Sequence, residues 1–128
     1  MEFTPATLRG LTGTTIWSED HTNLVPFYRD VLGLQVSAES PQLAVLGGTT
    51  GPSLSLGTHS EVKGRAQDPF RHIVKLDSED LDADYARLRA AGVEFIDPPA
   101  SPKGMRFFTL LDPDGNVVQL QGQEVSAS

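Results

Sequence analysis

Two kinds of patterned segment run along the chain, and they come in the same order twice. Residues 11–18 are rich in Thr, Ile and Trp and read as a strand. Leu24, Phe27, Tyr28, Val31 and Leu32 then recur at helical spacing behind the capping residues of 19–23, with Pro26 near the first turn. Gly33 is the expected stop, with Leu34 as its apolar partner. Short strands are expected at 34–38, 42–47 and 52–57, separated by Ser-Pro, Gly-Gly and Gly-Pro pairs. A polar stretch, 58–69, follows. The order then repeats: a strand at 70–77, Ser78 as cap, a helix over about 79–91 with Leu81, Tyr85 and Leu88 on one stripe, Gly92 as stop, and strands at 93–96, 104–111 and 116–121. The last two strands are joined by Asp112-Pro113-Asp114-Gly115-Asn116, whose proline and glycine suit a tight reversal.

Gly13 and Gly33 stand 20 residues apart, as do His72 and Gly92, which equates Gly13 with His72. The pattern predicts an α+β fold of two tandem βαβββ modules, residues 1–60 and 61–128, with curved mixed or antiparallel sheets enclosing a groove. Each half is too short to stand alone without staples, so the halves are expected to share buried surface.

Composition narrows the function more than the fold. A formal charge of -7 disfavours nucleic acid and anionic membrane surfaces as partners. The absence of cysteine excludes disulfides, thiolate metal sites and cysteine nucleophiles. No apolar run approaches the roughly 20 residues that span a bilayer, and residues 1–5 lack a signal-peptide pattern. The expectation is a soluble cytoplasmic protein. No phosphate loop, nucleotide fingerprint or nucleophile triad is present.

Three segments carry a resemblance: Phe27-Tyr28-Arg29-Asp30-Val31-Leu32-Gly33-Leu34, Leu88-Arg89-Ala90-Ala91-Gly92-Val93, and Leu111-Asp112-Pro113-Asp114-Gly115-Asn116-Val117-Val118-Gln119-Leu120. Together with their spacing they resemble the vicinal oxygen chelate superfamily of glyoxalases, bleomycin-binding proteins and extradiol dioxygenases. In its metal-dependent members, the first strand of each half brings a histidine or glutamine to the groove and the last strand a glutamate. The resemblance places these positions on Gly13 (or, with a one-residue slip, Thr14), His72 and Gln119, and on the strand 52–57, which has no acidic or imidazole group. His59 and Glu61 lie just past that strand. One imidazole and one amide hold a divalent cation poorly, so no metal and no cofactor is expected.

The side chains expected to line the groove are Thr15, Trp17, His72, Val74, Arg106, Phe108 and Gln119, with Val74 placed there because it shares a strand face with His72. The aspartates of 112–116 read as turn chemistry, lacking the alternating donor series of a calcium loop. The favoured function is metal-free binding or sequestration of a small organic molecule by a homodimer. The alternative is a metal-dependent lyase, isomerase or dioxygenase, with His72 as ligand or general base. No catalytic residue is assigned, and the chemistry of the partner molecule stays open at this level.

Overall fold

The protein was studied as a computed structural model that describes residues 7–96 and 107–122. Eight strands are present among the described residues: β1 (Gly13–Ser18), β2 (Val36–Ser40), β3 (Leu43–Gly47), β4 (Ser53–Thr58), β5 (Ile73–Asp77), β6 (Glu94–Ile96), β7 (Phe107–Leu111) and β8 (Val117–Gln121). They form two four-stranded sheets of identical plan, β1-β4-β3-β2 and β5-β8-β7-β6. In each sheet the first strand crosses over to pair in parallel with the last, and the remaining pairs are antiparallel. Each crossover passes through a helical segment. The architecture is therefore the expected pair of βαβββ modules with mixed sheets.

Each sheet buries one face against its helical segment. In the first module, Leu54 and Leu56 of β4 and Ala44 and Leu46 of β3 meet Leu24, Val25, Phe27 and Tyr28. In the second, Phe108, Leu110, Val118 and Leu120 meet α1 (Leu81–Ala90) through Leu81, Tyr85 and Leu88. Tyr85, Phe95 and Phe108 form a cluster with ring centroids 4.9–5.7 Å apart. The strands' side-chain period of two fixes what is left over for the opposite faces. These are Gly13, Thr15 and Trp17 with Ser53, Ser55 and Gly57 in one module. In the other they are Ile73, Lys75 and Asp77 with Val117, Gln119 and Gln121.

The two helical segments differ. The second is a regular α-helix, capped by the Asp80 carboxylate, which accepts from Ala83 N. The first is a 3-10 turn, His21–Asn23, leading into a π-turn, Phe27–Val31, in which Leu32 N donates to Phe27 O at 2.8 Å. Both stop at a glycine with positive φ, 87° at Gly33 and 79° at Gly92, the conformation a helix-terminating glycine supplies. The next residue then reaches back to close the end: Val93 N bonds Leu88 O, five residues earlier, whereas Leu34 N bonds Tyr28 O, six earlier.

The first module thus holds one extra residue in its helical segment, as a π-turn requires. That residue corrects the equation of Gly13 with His72. Equal sequence intervals conceal a one-residue difference in strand phase, and the structural partner of Gly13 is Ile73: each opens its strand, opposite Ser53 and Val117 respectively.

The 112–116 turn belongs to the second module and grips the first. The Tyr28 hydroxyl, fully buried, donates to Asp112 Oδ2 at 2.7 Å. Ser18, at the end of β1, donates to Asp114 Oδ2 at 2.6 Å. Asp112 also accepts from the backbone N–H groups of Asp114 and Asn116 at 2.9 and 2.8 Å, and from the Asn116 amide. The connecting stretch joins the same contact, since Ala66 N donates to Asp114 O and Arg65 Nη1 to Pro113 O. The turn reading of this motif stands. Its second task, holding Tyr28, was invisible because the partners lie 84 residues apart.

Burial dominates the electrostatics here. It lifts Asp112 above the ordinary carboxylate range, against the downward pull of hydrogen bonds from Tyr28, Asn116 and Asp114. Burial, and then the neighbouring Asp112, push the Tyr28 phenol far above its usual range. At neutral pH Tyr28 keeps its proton, which its donation to Asp112 needs.

Candidate ligand cavity

β1 and β5 are each an edge strand of their sheet, and a cavity of about 690 Å³ is lined by both. Residues 13–17 of β1 and 72–76 of the β5 region line it, joined by Ser53, Leu54, Asn116 and Val117. It reaches inward to Leu34 and Leu46 of the first module. Most of the wall is apolar, which is the usual character of a small-molecule site.

Trp17 lines the cavity and is 47% exposed. Its ring lies across Gly57, where a Cβ would stand 2.5 Å from Trp17 Cζ3 and 3.0 Å from Leu43 Cδ1. The indole meets His59 edge-on, with centroids 5.5 Å apart. Gly57 therefore sets the pose of the tryptophan. Gly13 has a comparable role at the other end of β1, because a Cβ there would run into the Ser53 carbonyl oxygen. Close strand approach, rather than a lost metal ligand, accounts for that glycine.

The sequence-predicted residues divide as follows. Thr15, Trp17, His72 and Val74 all line the cavity. Val74 does so from the helix-packed side, where it touches the core, and not from the sheet face of Trp17. Phe108 is a correction: it is 1% exposed and packed between Tyr85 and Phe95 in the core, because the alternation on β7 sends it with Leu110 toward α1. Gln119 is half-buried on the inner face of β8, beside Lys75, and does not reach the cavity wall. Arg106 lies outside the described residues.

Lys75 is the residue that sequence reasoning left out. With His72 and Val74 assigned to the groove, Lys75 had to point at a helix, an improbable place for an ammonium. The true phase turns it to the inner face. A lysine in the middle of an otherwise apolar strand was the available signal that the phase was wrong by one.

The fold's metal-dependent members raise the question whether these residues suit a divalent ion. At the middle of β1 and β5, Thr15 pairs with Ser55 and Lys75 with Gln119. The donor set there is two hydroxyls, an amide and an ammonium, and the cavity wall adds a single imidazole, His72. The hydroxyls and the amide are neutral, and the ammonium has no lone pair to give and repels a cation. His59 and Glu61, beyond the end of β4, line no part of the cavity, and the His59 ring is engaged locally by Glu61 N at 3.1 Å. Among the described residues no three histidine or acidic side chains come together as a ligand group. The residues present do not fit a divalent ion.

Comparison with known proteins agrees with this fold. The family model described as Glyoxalase/Bleomycin resistance protein/Dioxygenase superfamily matches residues 10–120. The chain belongs to this superfamily. A glyoxalase/dioxygenase from Nostoc punctiforme is similar in structure at a TM-score of 0.76 and 17% identity, over 96% of this chain and 97% of that one. A lactoylglutathione lyase from Agrobacterium tumefaciens matches at 0.69 and 19%, over 96% and 100%. TnmS3, an antibiotic binding protein from Streptomyces sp. CB03234, matches at 0.68 and 24%, over 94% and 100%. These identities establish a shared fold within the superfamily. No curated protein matches the chain in sequence.

Proposed function

We propose that this superfamily member binds and sequesters a small organic molecule in this cavity without a metal ion. The observation that carries the reading is the make-up of the cavity wall: Trp17, Ile73, Val74, Leu76 and Val117 with Lys75 and a single imidazole, and no acidic side chain among the described lining residues. A cavity of about 690 Å³ falls within the roughly 300–1,000 Å³ typical of ligand sites. Its wall combines a flat indole with a few polar groups, an arrangement suited to an aromatic or otherwise apolar body carrying some oriented polar atoms. Similarity to TnmS3 is compatible with such a role, and similarity to a lactoylglutathione lyase shows that the fold by itself does not choose.

Trp17 is the sole tryptophan, so its fluorescence reports occupancy directly. The test is a panel of antibiotics, aromatic acids and thiol conjugates, followed by Trp17 emission and thermal shift, with the bound compound recovered and weighed by mass spectrometry. Saturable binding with the compound unchanged is expected. Turnover that a chelator abolishes and a divalent ion restores would overturn the proposal in favour of a metal-dependent lyase, isomerase or dioxygenase.

A further inference from the structure

Resting on that reading of the cavity, we infer that its ligand is an amphipathic organic carboxylate, held by Lys75 at its charged end and by the apolar wall with Trp17 along its body. The chain carries 17 acidic residues against 10 basic ones, yet no aspartate or glutamate is among the described residues lining the cavity. Among the described lining residues Lys75 is the only formal charge. The sign of the site is thus opposite to that of the protein.

The setting of Lys75 adds to this. It stands opposite Gln119 on β8, which stands opposite Thr109 on β7, so the inner face presents a row of ammonium, amide and hydroxyl. Side chains paired across neighbouring strands are about 5 Å apart at Cβ, so the row is contiguous. At the wall the Lys75 ammonium offers hydrogen-bond donors, and one carboxylate accepts through two oxygens. The nearest carboxylate in sequence on this face is Asp77, which pairs with Gln121 one step further along and does not line the cavity.

One ammonium matches a monoanion. A phosphate dianion calls for more cationic groups or a planar arginine fork, and the described wall has neither. The lysine's four-carbon stem can lie along the apolar wall while its head stays wet, so the ligand's carboxylate belongs near the mouth and its body inside.

Matched pairs of probes separate charge from shape: 2-naphthoate with 2-naphthamide, and 4-phenylbutyrate with 4-phenylbutyramide, titrated calorimetrically into the wild-type protein and into Lys75→Gln and Lys75→Arg. The carboxylate of a pair is expected to bind about five- to tenfold more tightly than its amide, the range for a partly desolvated charge-assisted contact. Lys75→Gln should bring the ratio to about one while leaving the amide's affinity unchanged, and Lys75→Arg should retain the preference. Lys75 is exposed, so these variants fold as the parent does. An amide that binds as tightly as its carboxylate in the wild type would overturn the Lys75 assignment and leave the sequestration reading in place. Chemical conversion of a carboxylate that still depends on Lys75 for affinity would overturn sequestration alone. No saturable binding of either member of either pair at millimolar concentration would overturn the inference.

Discussion

The turn between β3 and β4 and the turn between β7 and β8 occupy equivalent places in the two modules and do different work. The first, residues 48–52, is Gly-Thr-Thr-Gly-Pro and carries no charge. The second is Asp112-Pro113-Asp114-Gly115-Asn116, and its carboxylates grip Tyr28 and Ser18 of the opposite module. The inner sheet faces are just as unequal. The first module offers small residues and one indole, the second long polar side chains and a cation. The two modules share one backbone plan and divide the roles of wall, anchor and clasp between them. The lesson is that symmetry of backbone is poor evidence for symmetry of side-chain function.

The sharpest challenge to this division is Asp112→Ala. It strips the acceptor from one buried phenol, two backbone N–H groups and an amide, so a loss of about 3–5 kcal/mol in denaturant unfolding is expected. A loss below about 1 kcal/mol, the size of an ordinary surface contact, would mean that the clasp is decorative.

Tyr28→Phe isolates one strand of the same contact. At neutral pH it should cost about 1.5–3 kcal/mol, the range for a hydrogen bond to a charged group. It also carries a pH signature. The folded phenol is raised far above its unfolded pKa of about 10. The fold therefore retains a proton that the unfolded chain gives up, and stability is lost as pH climbs past about 10, at roughly 1.4 kcal/mol per unit. Below that window the contribution is fully present. Tyr28→Phe should flatten this alkaline decline, as read from unfolding midpoints between about pH 9 and 11.

Gly57→Ala tests the first module's side of the comparison. The added methyl collides with the Trp17 ring, which is half-exposed and able to swing away, so a loss of only about 1 kcal/mol is expected. The informative readout is Trp17 emission, which should shift in wavelength and quench more readily with iodide. An unchanged spectrum would show that Gly57 does not govern the indole. The smallest effect belongs to Thr49→Ala in the uncharged turn, expected within about 0.5 kcal/mol of the parent. A large loss there would erase the contrast between the two turns.

Much of this organisation was legible beforehand, for identifiable reasons. Strand alternation, two glycine helix stops and the Pro-Asp-Gly reversal are local signals, and they placed every strand to within a few residues. The groove residues were harder. A π-turn has no distinct sequence signature, so the extra residue between β1 and Gly33 went unseen. Equal spacing then brought Val74 to the ligand side and turned Lys75 away from it. Trp17 and Thr15, placed by sharing the strand face of Gly13, both line the cavity. The Tyr28–Asp112 contact joins distant segments, and periodicity is blind to such pairs.

The π-turn has a further consequence, for how a protein of this kind tolerates changes in length. An extra residue inside a strand either bulges the ladder or turns every following side chain to the other face. Here the addition was taken up where it only widens one helical turn, and β1 keeps its pairing with β4 from Gly13 through Ser18 without interruption. The crossover helix works as a slack-adjuster, so a codon gained or lost there leaves the cavity wall facing the way it did before.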